Sequence, residues 1–426
     1  LEKQNSKYRW AVFAFVLFAY LFIVSQRTAP GLISNQLMHE FHLTAAVIGL
    51  LASIQFLAYA GLQIPIGILS DRFGPNGFLI GGTLVNGIGT VLYSLAPDET
   101  VLLAARLLVG IGDAAIWINL VLILSQWFKA QEFVSLLGWA GVTGSVGFLT
   151  ATVPFSLWIA QSGWRIPFLT VGILLCLIGC TLYFILIRKP NQLFKKEEPV
   201  DSRSLKKEEK LEKTLSILIR LFSSRQAWAT FFCHFGLVGT YVGFIGSWAV
   251  PYGMSIFRMS RTGASQLIMI GLIGAIVGAP LITWISSRTG SIKRPYLLVQ
   301  SIVFFSWAGF VLFNGKPPFF MLVILFLIIG FGNGASTLTF AVVRQSFPIK
   351  EVGVVSGFAN TGGFLSAVLL PSLFGKVLDF FQHAPQTVGY HYGFIIPLLF
   401  SLFSVAGGIL IKEKSKKQGN AGSSAV

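Results

Sequence analysis

Two arginines and an aspartate stand where an apolar chain should carry no charge. Arg27 interrupts "LFAYLFIVSQRTAPGLISNQLM" (Leu17 to Met38), the continuation of an apolar run that starts at Trp10. Arg106 and Asp113 lie within "RLLVGIGDAAIWINL" (Arg106 to Leu120). At helical spacing Arg106, Gly110, Asp113 and Trp117 fall along one face. A guanidinium offers five fixed donors and grips a carboxylate through two parallel hydrogen bonds. Ionisable groups deep in a membrane are costly and mark a functional site by default. The alternative for Arg27 is a structural residue near the outer interface, its stem along apolar surface and its head snorkelling to water.

Weaker candidates share the same helical logic. His234, Tyr241 and Trp248 recur every seven residues on one face, and a histidine titrating near neutrality offers a second proton site or, equally, a packed ring. Asn333 and Thr337 share a face and either hydrogen-bond a substrate or pack helices. Gln55, Tyr59 and Gln63 stack at i, i+4 and i+8, to line a cavity or to pair with Asn360. Gly138, Gly141, Gly144 and Gly147 recur every third residue as a close-packing face. Lys376 and Asp379 read as a local ion pair.

The elements that must position these residues are membrane helices. Of 426 residues 54% are hydrophobic and only 11% charged, 39 are phenylalanine, and the mean hydropathy is +0.74. No water-soluble domain of this size carries such a surface. The net charge of +16 lies in short segments between apolar runs rather than on one soluble face, which argues against nucleic acid and for a membrane. Cys176, Cys180 and Cys233 fall inside apolar runs without metal-ligand spacing and read as packing residues. The first apolar run has no small-residue cleavage site and reads as a span, not a cleaved signal.

About 20 apolar residues cross a bilayer, and twelve such runs, numbered as spans in chain order, lie at roughly 9–38, 45–69, 77–95, 100–125, 133–159, 166–187, 227–256, 264–286, 296–314, 319–342, 352–378 and 393–411. The expected organisation is a six-helix bundle over 1–187, a charged linker over 188–226, and a second six-helix bundle with a short tail over 227–426. Within the linker Leu211, Leu215, Leu218 and Phe222 recur at helical spacing, as in an interfacial amphipathic helix. Outside the spans, 25 Lys and Arg gather on the side holding both termini, against Arg165, Arg258, Arg261, Lys316 and Lys376 on the other. That bias places both termini in the cytoplasm. An internal repeat at an offset of 219 matches Gln126 with Gln345, Phe128 with Phe347, Glu132 with Glu351, Gly138 with Gly357 and Gly144 with Gly363. Paired repeats with a midplane site between them are a common transporter architecture.

The loop "GILSDRFGPNG" (Gly67 to Gly77) resembles the signature loop of the major facilitator superfamily, G-x-L-x-D-R-x-G-[RK]-[RK], and the resemblance covers essentially the whole chain. It implies an all-α fold of twelve transmembrane helices in two pseudo-symmetric six-helix bundles. It also implies a conformational latch from Gly67, Asp71, Arg72 and Gly74, with Arg288 in the second-half loop "TWISSRTGSIKRP". Pro75 and Asn76 replace the usual basic pair, and Ser287 stands where the second loop would have its acid. Within the superfamily the fourth-span segment, "SQWFKAQEFVSLLGWAGVTGSVGF" and "GWRIPF" are most similar to the anion:cation symporters. That likeness implies an anion-holding arginine at Arg27, which follows Tyr20 by seven residues, and a proton-coupling carboxyl at Asp113, where those proteins have glutamate.

The expected function is proton-coupled symport of a small organic anion by alternating access. The partners are then the substrate, protons and the bilayer, with no cofactor and no nucleic acid, in a monomer of the cell membrane. Candidate substrate contacts are Arg27, Tyr20, Trp117, His234, Tyr241, Asn333 and Thr337. The alternative is an exporter or facilitator of amino acids, small peptides or a siderophore. No metal-ligand cluster, nucleophile elbow or phosphate loop points to an enzyme. Pro30 and Gly31, just after Arg27, offer a place for the first span to bend.

Overall fold

The computed structural model describes residues 2–28, 32–43, 45–151, 153–193 and 214–413, and those residues form helices and short connections without a strand. Hydrocarbon offers no partners for backbone N–H and C=O groups, so helices that satisfy them internally are the accessible solution for such a sequence. Among the described residues eleven helical rods are long and apolar enough to cross a membrane, and Ala45–Phe73, a further helix of 29 residues, stands at the place of the expected second span. Pro30, Gly31 and Leu211 lie outside the described residues.

The rods pack as two six-helix bundles. In the first, Ala45–Phe73 and Pro75–Ser94 pack on Glu99–Ala114, and Arg165–Tyr183 packs on Pro75–Ser94. In the second, Arg225–Thr240 packs on Val352–Phe380 and Ile395–Leu410, and Arg261–Thr289 packs on Phe319–Asn333. The repeat is visible in backbone angles. Phe128 and Phe347 end equivalent helices at φ −125°, ψ 152° and φ −120°, ψ 150°, and the fourth and tenth spans both break mid-course, at Ala115 and Ala335.

Two seams join the bundles, the second span against the eleventh and the fifth against the eighth. They are tightest at the linker end. A Cβ on Gly67 would stand 2.5 Å from the Gly353 carbonyl oxygen, so the second and eleventh spans approach as closely as backbones allow. Further along, Asn360 Nδ2 donates to Tyr59 Oη and Gln63 Oε1, both at 2.8 Å. At the linker end Arg9 pairs with Glu132 and Arg220 with Glu351, each at 2.8 Å, so both repeat glutamates hold an arginine. Arg220 belongs to Thr214–Ser223, the expected amphipathic helix, which turns Leu215, Ile219 and Phe222 outward and buries Leu221.

Two sequence expectations are corrected. Lys376 and Asp379 are both exposed and form no ion pair, because two solvated side chains gain little from each other there. Cys180 is exposed on the outer face rather than packed, whereas Cys233 is buried.

Candidate functional site

Where the seams part, a cavity of about 150 Å³ opens between the halves, lined by both. Arg27 forms part of its wall. The Arg27 side chain is not snorkelling: it is 7% exposed and meets Asp113 through two hydrogen bonds of 2.9 Å, Nε to Oδ2 and Nη2 to Oδ1. Asp113 lies 1% exposed behind it. The two charges read separately from the sequence are therefore one buried bidentate pair, which occupies two of the five guanidinium N–H donors.

Neighbours fix this pair. The Arg27 guanidinium lies over the Tyr59 ring at 5.2 Å and near Phe364 at 6.0 Å. Gln55 Nε2 approaches Asp113 Oδ2 at 3.4 Å, and Gln55 Oε1 accepts from Arg106 Nη2. Arg106 also lies over the Tyr93 ring at 5.6 Å. It shares a helical face with Asp113 but lies off the cavity wall, and its partners are all neutral: the Gln55 amide, the Leu51 carbonyl, which accepts from Nε at 3.4 Å, and the Tyr93 ring. This chain, Arg106 to Gln55 to Asp113 to Arg27, runs across the fourth, second and first spans. Gln55 had been legible only as one of three stacked polar residues.

Every sequence candidate for substrate contact lines the cavity: Tyr20, Arg27, Trp117, His234, Tyr241, Asn333 and Thr337. Trp248 does not. Its indole donates to the Pro371 carbonyl at 3.1 Å and packs on Phe374. The reason is local. The seventh span passes through a π-helical turn at Tyr241–Ile245, and each such turn carries an extra residue, which rotates everything after it off the seven-residue face. Phe56, Phe340 and Phe364 also line the cavity. Nothing distinguished them among 39 phenylalanines in the sequence.

The signature loop sits on the seam, away from the cavity. Asp71 accepts from the backbone N–H groups of Gly353 and Val354, both at 2.7 Å, at the start of the eleventh span's long helix. A carboxylate is well placed at a helix N-terminus. Gly67 permits the contact, and Gly74 caps the third span at φ 89°, a backbone region that favours glycine. Arg72 is exposed beside Asp71. In the second half Ser287 spends its hydroxyl on the Thr283 carbonyl, and Arg288 lies over the Trp284 ring at 5.4 Å. Only the first-half loop carries an acidic clasp.

The chain is similar to known transporters over most of its length. It is 27% identical to the probable sulfoacetate transporter SauU of Cupriavidus necator over 406 residues, covering 88% of this chain and 89% of that protein. It is 25% identical to the gentisate transporter of Corynebacterium glutamicum over 357 residues, covering 82% and 76%. Among solved structures, a bacterial homologue of the iron transporter ferroportin in an outward-facing state superimposes with a TM-score of 0.72 at 14% identity, covering 93% of this chain and 98% of that one. The family described as Major Facilitator Superfamily matches residues 14–371, and with two helix bundles, twelve rods and a cavity between them the chain belongs to that superfamily and is a membrane transport protein.

Proposed function

We propose that the protein is a proton-coupled symporter of a small organic anion, with Arg27 as the anion holder and Asp113 as the proton carrier. The observation that carries this reading is the bidentate Arg27–Asp113 pair, whose arginine lines the cavity while the aspartate lies behind it. The substrate's carboxylate and the Asp113 carboxylate compete for the same edge of one guanidinium. A proton on Asp113 releases that edge, and a bound anion raises the affinity of Asp113 for a proton, so the two ligands favour each other by linkage.

Charge conservation supports the same cycle. The empty pair is neutral; the loaded site, with Arg27 cationic, Asp113 protonated and one carboxylate bound, is also neutral. A site of unchanged charge can cross between its two accesses without a net electrostatic penalty. Sulfoacetate and gentisate, the ligands named for two relatives, are both organic anions.

The halves over 1–187 and 227–426 rock about this site, with the seam of Gly67, Asp71 and Gly353 as the latch of the state closed at the linker end. The chain works as a monomer in the cell membrane with both termini in the cytoplasm, an orientation supported by the Lys and Arg bias.

The test is counterflow and pH-driven uptake in proteoliposomes. Asp113→Asn is expected to abolish accumulation driven by a pH gradient while retaining exchange of substrate for substrate. An Asn variant that still concentrates substrate against its gradient removes Asp113 from the coupling role.

A further inference from the structure

We infer that the substrate is an aromatic monocarboxylate carrying a hydroxyl on its ring. This rests on the anion reading above and narrows it to a chemical class.

The cavity wall selects for charge number first. Among the described residues twenty line the cavity; of these Arg27 is the one with a permanent charge, and none is Asp, Glu or Lys. A substrate with a second carboxylate would have to leave that charge uncompensated in a desolvated site, which is costly.

The wall selects next for a flat apolar body. Eight of the twenty are Phe, Tyr or Trp. Tyr20, Trp117, Phe340 and His234 form a continuous row of rings from the first half to the second, with successive centroids 5.3, 5.2 and 4.9 Å apart. A second group, Tyr59 and Phe364 at 4.1 Å, lies against Arg27 itself. The anion holder is thus flanked by ring faces, and an arene attached to a carboxylate meets them in the offset and edge-on geometries that rings prefer.

Unpaired polar atoms then define the substituent. Trp117 Nε1, His234 Nδ1, Tyr241 Oη and Asn333 Oδ1 all belong to lining residues and have no hydrogen-bond partner. Trp117, His234 and Tyr241 are 8%, 3% and 7% exposed, so these groups are withdrawn from bulk solvent. Orphans of this kind are rare because each costs free energy, and a ligand that pairs them gains what the empty site forgoes. The indole only donates and the Asn333 oxygen only accepts; a hydroxyl does both. Three other lining groups are already engaged: Ser145 with the Gly141 carbonyl at 3.1 Å, Thr337 with the Gly334 carbonyl at 2.9 Å, and Asn360 with Tyr59 and Gln63. A polyhydroxylated acid would also set several of its hydroxyls against ring faces, which offer them no strong acceptor.

Binding to the purified full-length protein, by calorimetry, tests this with six probes. These are 3-hydroxybenzoate, gluconate, their neutral counterparts 3-hydroxybenzamide and glucose, and the controls benzoate and isophthalate. The expected result is 3-hydroxybenzoate at least tenfold tighter than gluconate, with isophthalate, which adds a second carboxylate, at least tenfold weaker than 3-hydroxybenzoate. Trp117→Phe keeps a ring and removes the donor; it is expected to weaken 3-hydroxybenzoate severalfold more than benzoate, and an equal loss for the two would overturn the hydroxyl assignment. Gluconate binding as tightly as 3-hydroxybenzoate, or neither aromatic probe binding at millimolar concentration, overturns the inference. Equal affinity for 3-hydroxybenzamide and 3-hydroxybenzoate instead overturns the anion reading and leaves the ring preference standing.

Discussion

Arg27 and Asp113, 86 positions apart in the chain, close a bidentate ion pair at 2.9 Å between the first and fourth spans. Each is the other's main counter-ion, so neither can be altered alone without exposing the partner's charge to a desolvated site. Removing one member of a buried pair costs about 3–5 kcal/mol, whereas replacing both by apolar residues is often neutral. Arg27→Met and Asp113→Leu are each expected to lower thermal stability in detergent strongly, and the double variant to recover most of the loss while remaining inactive in uptake. Additive losses in the double variant would show that the two residues are not energetically coupled.

Gln55 ties the second buried arginine to this pair. Gln55→Leu leaves Arg106 without its side-chain acceptor and Asp113 without an amide contact. Hydrogen bonds to charged groups contribute about 1.5–3 kcal/mol, so a stability loss of that size is expected. Gln55→Glu restores an acceptor to Arg106 but sets a second carboxylate beside Asp113. Its expected signature is a displaced pH profile of uptake, which a purely structural role for Gln55 would not produce.

The seam at Gly67 and Gly353 excludes side chains. Gly353→Val sets new atoms against Asp71 and the Gly67 carbonyl and is expected to disfavour the state closed at the linker end. Ser356, fully buried on the same helix, reports this. In a cysteine-free background Ser356→Cys should react slowly with a maleimide, and severalfold faster once Gly353→Val is added. Unchanged labelling would mean that this seam does not set the closed state.

The π-turn in the seventh span divides its polar face into functional and structural parts. Trp248→Phe loses a hydrogen bond to the Pro371 carbonyl. That costs about 1 kcal/mol of stability and is expected to leave substrate affinity unchanged. His234→Ala, which opens the cavity floor beside Phe340, is expected to change affinity. Titration calorimetry on both variants distinguishes the two positions.

Glu40, in the short helix Ser34–Glu40 beyond the first span, accepts from Arg165 Nη2 at 2.6 Å and Trp164 Nε1 at 2.7 Å. Partial burial raises its pKa, but these two donors and the Arg165 charge outweigh that and hold it below the ordinary 4.5. A depressed carboxylate contributes stability that is fully present above the unfolded value and lost as pH falls through the folded one. The clamp is therefore expected to persist at neutral and mildly acid pH and to release only below pH 4.5, and Glu40→Gln should flatten the stability curve in that acid range. An identical acid-range curve for the variant would remove Glu40 from the pH response.

Composition and the spacing of apolar runs were enough to mark the spans, because hydrocarbon enforces helices, and the 219-residue repeat and the signature loop that carries the resemblance to the family are written in the residues themselves. The sequence also singled out Arg27, Arg106 and Asp113, since charge in an apolar run is conspicuous without coordinates, and Asp71 through its place in the signature loop. Tertiary structure alone decided that Arg27 and Asp113 hold each other, because pairing across 86 positions depends on how the first and fourth spans cross. It alone removed Trp248 from the cavity, because a π-turn shifts helical register without leaving a mark in the spacing of polar residues. Phe340 and Phe364 became wall residues only once the halves were docked, since one phenylalanine in an apolar helix reads like another until its neighbours across the seam are known.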